Sequence, residues 1–149
     1  MMSDYTRPEW ADQIPQATAA ETDNERVVLE FLADFCTADI DRLDAYLTED
    51  AMYHNMPLQP AYGKAAVLAT LSGLFSALTF EGIDTFYLAS RGGFVLTERV
   101  DHVVAQHNGK SMSLPVAGVM QLVDGKIKSW RDYFDLRDFE QAIDLSLRG

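Results

Sequence analysis

Cysteine is nearly absent from this chain of 149 residues: Cys36 alone carries a thiol, so no internal disulfide and no cysteine-based metal cluster can form. Basic residues are scarce too. Twelve Lys plus Arg face 23 Asp plus Glu, for a formal charge of −11, which argues against nucleic acid and anionic membranes as partners. No apolar run is long enough to span a bilayer, and the first residues lack the basic-then-apolar order of a secretory signal, so the expectation is a cytoplasmic protein. Gly-x-Ser-x-Gly, a phosphate loop and Gly-x-Gly-x-x-Gly are all missing, and His54, His102 and His107 lack metal-ligand spacing. With no cofactor and no metal expected, what remains is acid–base chemistry on an uncharged, apolar substrate.

What is present is a generous apolar content, 48% of the residues. The length predicts one domain over 1–149, large enough to bury roughly 68–70% of its unfolded surface. Residues 1–21 are polar and aperiodic and read as an extended arm. Thr22 and Glu25 then form a Ser/Thr-x-x-Glu capping box ahead of Val27, Val28, Phe31, Leu32 and Phe35 at helical spacing. Asp39 can cap a second, shorter helix carrying Ile40, Leu43 and Leu47. A brief strand is expected over 51–55, a turn across Pro57 to Pro60, and a helix from near Gly63 with Val67, Leu68, Leu71, Leu74, Phe75 and Leu78 as its stripe.

From Phe80 the pattern turns to strand. Four runs, 80–89, 93–105, 111–122 and 126–134, are separated by Arg91-Gly92, Asn108-Gly109 and Asp124-Gly125, and a short helix over 136–144 with Asp135 as its cap closes the chain. Helices first and an antiparallel meander afterwards define an α+β class, with helices on one face of a curved sheet.

Charges stand out on apolar strand faces. Side chains alternate along a strand, so Arg99, Asp101 and Val103 share one face, as do Trp130, Asp132 and Phe134. Such groups are costly to bury unless they meet. A two-residue Asn108-Gly109 turn would set Asp101 opposite Val116 and Arg99 opposite Gly118. One extra residue at the Asp124-Gly125 turn, a glycine bulge, would bring Asp132 opposite Gly118 as well. Gly118 would then leave room for a guanidinium to cross the strand.

Two carboxylates converging on one arginine in an apolar site would share roughly one proton, making an acid and a base together. An inert Asp–Arg–Asp triad holding three strands together accounts for the same spacing. Tyr53 and Asn55 share a strand face and offer donors and acceptors that can fix a water against Asp132. Trp130 is placed in the core, with its indole N–H a candidate donor to the carboxylates. Cys36 reads as a small core residue.

The stretches Tyr53-His54-Asn55-Met56-Pro57-Leu58, Pro60-Ala61-Tyr62-Gly63, Thr97-Glu98-Arg99-Val100-Asp101 and Trp130-Arg131-Asp132-Tyr133-Phe134-Asp135-Leu136 together resemble the limonene-1,2-epoxide hydrolases, from about Trp10 to Gly149. These belong to the wider fold superfamily of nuclear transport factor 2 and ketosteroid isomerase. The resemblance implies a curved mixed sheet with the N-terminal helices on its concave face around a deep apolar pocket. It implies a cofactor-independent hydrolase that opens small cyclic or terpenoid epoxides to vicinal trans-diols in one step. By it Asp132 is the base, Asp101 the acid, Arg99 their bridge, and Tyr53 and Asn55 position the water. It also implies a pocket lined by Leu32, Phe35, Leu74, Leu78, Phe80, Ile83, Val103, Leu114, Val116, Phe134, Phe139 and Leu147, no metal, and a homodimer. The partners expected are a small apolar epoxide and water, with neither nucleic acid nor membrane. Two alternatives use the same residues: an isomerase or cyclase with one Asp as a carbon-acid base, or a binding module whose triad only orients a ligand.

Overall fold

The computed structural model describes residues 8–13, 15 and 19–148. A 3-10 turn, Glu9–Asp12, precedes helices α1 (Asp23–Phe35) and α2 (Ile40–Asp44), strands β1 (Leu47–Asn55) and β2 (Ala61–Tyr62), and helix α3 (Lys64–Ala77). Strands β3 (Leu78–Arg91), β4 (Phe94–Ala105), β5 (Ser111–Val123) and β6 (Lys126–Tyr133) follow, and α4 (Leu136–Ile143) ends the order. The six strands form one sheet in the order β2-β1-β6-β5-β4-β3. It is mixed because β1 runs parallel to β6 while every other pair is antiparallel.

Local chemistry accounts for the helix starts. The Thr22 hydroxyl accepts the Glu25 N–H at 3.1 Å, and the Glu25 carboxylate reaches back to the Glu21 N–H at 3.3 Å and accepts from Ser90 Oγ of β3 at 2.6 Å. One capping residue thus docks α1 onto the sheet, and the Ser90 hydrogen bond, ahead of the cost of its burial, holds the Glu25 carboxyl below its ordinary range. Asp39 and Asp135 cap α2 and α4 in the same way. Val28, Phe31, Leu32 and Phe35 of α1 and Val67 and Leu71 of α3 form one core with Trp130, Leu114, Val116 and Val103 of the sheet.

Several expectations are corrected by packing. Leu47 belongs not to α2 but to a strand that begins four residues before position 51, and it is fully buried. Leu78 starts β3 rather than ending α3, and residues 61–62, between the expected turn and helix, form an edge strand on β1. Within the arm, Glu9–Asp12 is a 3-10 turn, not extended; Trp10 meets Phe86 edge-to-face at 5.3 Å, and Ala11 covers Val100 on the outer sheet face. Residues 1–7, 14 and 16–18 of the arm lie outside the described residues.

Both predicted registers also change. The Ala105 N–H donates to Lys110 O and Ala105 O accepts from the Gly109 N–H, each at 2.8 Å, so the β4–β5 loop holds four residues instead of two. Arg99 consequently faces Val116, Asp101 faces Leu114, and Thr97 takes the place opposite Gly118. A shift of two keeps every side chain on its face, so the apolar face survives. In the next hairpin the Asp124-Gly125 turn holds just two residues, both at positive φ, and the extra residue is Lys128, skipped between the Ile127 and Ser129 pairings. Asp132 is opposite Gly118, as expected, but the bulge lies in β6 rather than in the turn.

Candidate active site

Arg99 sits at the bottom of the concave face, 1% exposed, and all five of its N–H donors are engaged. Nε and Nη2 donate to the two carboxylate oxygens of Asp101 at 3.2 and 3.1 Å. Nη1 and Nη2 donate to those of Asp132 at 3.1 and 3.0 Å, and Nη1 also donates to Thr97 Oγ1 at 3.2 Å. Two bidentate forks on one guanidinium hold both carboxylates in place. The bridge crosses β5 at Gly118, between the Thr97 and Asp132 pairings.

One buried cation can neutralise only one of two buried carboxylates. Burial therefore drives the Asp101 carboxyl above its ordinary value, against the pull of Arg99, and the charge of Asp132 adds to the rise. Burial works against the Arg99 charge, but attraction to Asp101 and Asp132 outweighs it and raises the guanidinium further. Of the two acids, Asp101 is the one whose burial favours the protonated form.

Parallel pairing of β1 with β6 sets Tyr53 beside Trp130 and Asn55 beside Asp132. The Tyr53 hydroxyl donates to Asn55 Oδ1 at 3.0 Å. That bond leaves the Tyr53 oxygen as an acceptor and the Asn55 NH₂ as a donor, next to a carboxylate. Burial first, and then the Asp132 charge, lifts the phenol far above its ordinary value, so it stays protonated. The Tyr53 ring stacks on Trp130 at 4.0 Å. The Trp130 indole N–H meets no protein acceptor, so the bond to the carboxylates considered from the sequence is not formed.

These groups open into a cavity of about 240 Å³, lined by all five residues of the predicted constellation and by Leu32, Phe35, Leu74, Leu78, Phe80, Ile83, Leu114, Val116, Phe134, Phe139 and Leu147. Val103 is the exception: fully buried between its strand partners Phe80 and Met112, it belongs to the core and not to the lining. The lining also includes Leu58, Thr70, Gly73 and Ala77, which the sequence reading missed. For the last three the signal was visible as small residues at positions 70, 73 and 77, a helix face that leaves volume rather than filling it. Thr97 was missed as well, although it stands on the face of Arg99 and Asp101 at the strand period. Phe35, Phe75 and Phe80 meet edge-to-face at 4.7 to 6.1 Å and stiffen one wall.

A second cleft, between α1 and β3, shares Leu32 and Ile83 with the cavity and is completed by Leu29, Ala33, Cys36, Gly82 and Thr85. Burial pushes the Cys36 thiol up to about 11, so it is no ready nucleophile. His102 lies on the outer face, bonded to Ser113 and Asp84 at 2.9 Å each, and His54 meets Leu58 O at 2.9 Å. Among the described residues no group of three or more His, Cys, Asp or Glu side chains is placed to hold a metal ion, and no helix is long and apolar enough to cross a membrane.

A mixed, curved sheet wrapped around helices, with paired acids at the base of an apolar pocket, defines an α+β fold. Comparison with known proteins narrows this. Residues 22–144 match the model of the limonene-1,2-epoxide hydrolase catalytic domain. Epoxide hydrolase EphG of Mycobacterium tuberculosis (strain ATCC 25618 / H37Rv) is 31% identical over 119 residues, spanning 80% of this chain and 76% of that protein. The structure of an M. tuberculosis LEH-like epoxide hydrolase superposes with a TM-score of 0.71 at 30% identity, over 81% of this chain and 89% of that one. A provisionally assigned isomerase from Bacillus subtilis shares the fold with a TM-score of 0.75 at 16% identity, over 85% of this chain and 96% of its own. The chain belongs to the limonene-1,2-epoxide hydrolase family.

Proposed function

We propose that this protein is a cofactor-independent epoxide hydrolase that opens small cyclic or terpenoid epoxides, of the limonene-1,2-epoxide type, to vicinal trans-diols. The observation that carries the reading is the Arg99 bridge, which holds Asp101 and Asp132 in one apolar cavity with Tyr53 and Asn55 beside Asp132.

In this mechanism a water accepts a hydrogen bond from the Asn55 NH₂, donates one to the Tyr53 oxygen, and donates its other proton to Asp132. Its free lone pair attacks an epoxide carbon from the side opposite the C–O bond, which inverts that carbon and gives the trans-diol on a ring. As the C–O bond breaks, Asp101 gives its proton to the leaving oxygen. Asp132 takes the proton of the water, so no alkoxide or free hydroxide is released. The acid and the base each contribute about 10²–10⁴-fold, and fixing water and epoxide adds more. Afterwards Asp132 holds a proton and Asp101 lacks one, and exchange with solvent restores the pair.

Single turnover of limonene 1,2-epoxide in ¹⁸O-labelled water, with enzyme in excess, tests this. Label in the diol of the first turnover is expected. Unlabelled diol would mean that a protein carboxylate supplied the oxygen, and would overturn direct attack by water. Turnover of an unsaturated ketone with no epoxide opened would favour an isomerase.

We also propose one domain over 1–149, acting in the cytoplasm as a homodimer. Supporting the dimer, the outer sheet face exposes Tyr87, Leu96 and Tyr133 at 64, 49 and 46%, although Val100 on that face is covered within the chain by Ala11 and Phe86. Light scattering that returns the mass of one chain would exclude it.

A further inference from the structure

Glu140 is a carboxylate that the chemistry above does not use. It stands on the inward stripe of α4, between Phe139 at 3% and Ile143 at 0% exposed, and is itself only 8% exposed. A charge on an apolar helix face needs partners that repay its desolvation. Its partners are in the last residues of the chain. Oε2 accepts the Leu147 N–H at 2.7 Å, and Oε1 pairs with Arg148 Nη2 at 2.7 Å. The Leu147 N–H, ahead of the cost of burial, holds the carboxyl below its ordinary range, with Arg148 and Ser146 adding to the effect.

The chain reaches that position through a reversal. Asp144 is left-handed at φ 51, its N–H and that of Leu145 both turn back to Glu140 O, and α4 stops there. The four-residue β4–β5 loop clamps the bend. Asn108 Nδ2 donates to Ile143 O at 2.9 Å, and His107 Nε2 lies 3.1 Å from Asp144 O. Beyond the bend, among the described residues, Glu140 accepts the one backbone hydrogen bond from residues 146–148, that of the Leu147 N–H. Yet Leu147 lines the catalytic cavity together with Phe139 of α4. One wall of the cavity is therefore held by the packing of Leu145 and Leu147 on the core and by the backbone bond to the buried Glu140 carboxylate.

We propose that Glu140 is a positioning residue for substrate binding: it latches residues 145–148 back over α4 so that Leu147 closes the cavity wall. The latch rests on the reading of this cavity as the substrate site, but its geometry is independent of the reaction. It acts on binding and not on the acid and base, which stand on β4 and β6 and touch neither Glu140 nor Leu147 by hydrogen bond.

Glu140→Ala in the full chain tests it with two readouts. Amide hydrogen exchange at Leu147 needs no substrate, and protection there is expected to fall. The KM for the epoxide is expected to rise on the order of tenfold with kcat within about twofold and the pH profile unchanged. Glu140→Gln keeps an acceptor without the charge and should give a smaller change in both, which keeps the test open should the alanine variant fail to fold. Unchanged Leu147 protection in both variants, or a fall in kcat at constant KM, would overturn the latch. Loss of protection in a chain that opens no epoxide would support the latch and overturn the reading of the reaction alone.

Discussion

Gly118 lies directly beneath the Arg99 guanidinium: a Cβ there would sit 2.5 Å from Arg99 Nη1 and 2.5 Å from Asp132 Oδ1. The missing side chain is what allows an arginine on β4 to reach an aspartate on β6 across the strand between them. Gly118→Ala should thus push apart the bridge it cannot share space with. Overpacking costs of about 1–3 kcal/mol are expected in thermal or chemical unfolding, with kcat falling further than stability alone explains. Unchanged kcat would show that the bridge has slack.

Asp132→Asn and Asp101→Asn separate base from acid. Each should lower kcat by about 10²–10⁴-fold while circular dichroism stays native. Asp132→Asn also takes from Arg99 a charged partner, so some stability is lost on removal of a buried charge partner. Retained turnover in Asp132→Asn would remove the assigned base.

The pH profile follows from Asp101. In the proposed mechanism it serves as the acid while protonated, and burial raises its pKa, so kcat should fall as pH rises through that raised value; Asp101→Asn should lack this limb. Stability has the same sign. Between the ordinary value of 3.8 and the raised one, the folded chain binds more protons at Asp101 than the unfolded chain, so this residue's contribution declines as pH increases through that window. Denaturant midpoints of the parent and Asp101→Asn, compared across pH, measure it.

Thr97 completes the donor count of Arg99. Thr97→Val keeps the shape and leaves one buried N–H unpaired, a cost of about 1–3 kcal/mol, with kcat reduced as the guanidinium turns to find a new acceptor. Thr97→Ser should restore most of both. Equal behaviour of the two variants in unfolding and turnover would show that the hydroxyl is idle.

Leu32 and Ile83 separate the cavity above Arg99 from the cleft between α1 and β3. Leu32→Ala should join the two spaces and cost about 2–5 kcal/mol in stability. Relative kcat/KM should move toward bulkier epoxides, measured over a series of graded size. An unchanged ranking would mean that the septum does not limit the substrate.

Much of this could be read from the residues because it is local. The alternation that puts Arg99 with Asp101, and Asp132 with Trp130, is a property of any strand, and a register error of two preserved it. The helix caps at Thr22, Asp39 and Asp135 were legible for the same reason. Loop length was not. Asn108-Gly109 has the composition of a two-residue turn, yet Asn108 and His107 are engaged by the end of α4, and that contact between distant segments sets a four-residue loop. The Lys128 bulge, likewise, answers to the pairing of β6 with its neighbours rather than to the turn beside it.

The sequence by itself determined the fold class, the two acids, their arginine and the glycine that lets them meet, since each depends on residue type and short-range period. Only the tertiary structure decided that Thr97 takes the fifth donor of Arg99, that Val103 is core instead of cavity wall, and that Leu147 is brought to the site by Glu140. Those outcomes depend on which surfaces of separate elements exclude one another from space, and no single stretch of chain carries that information.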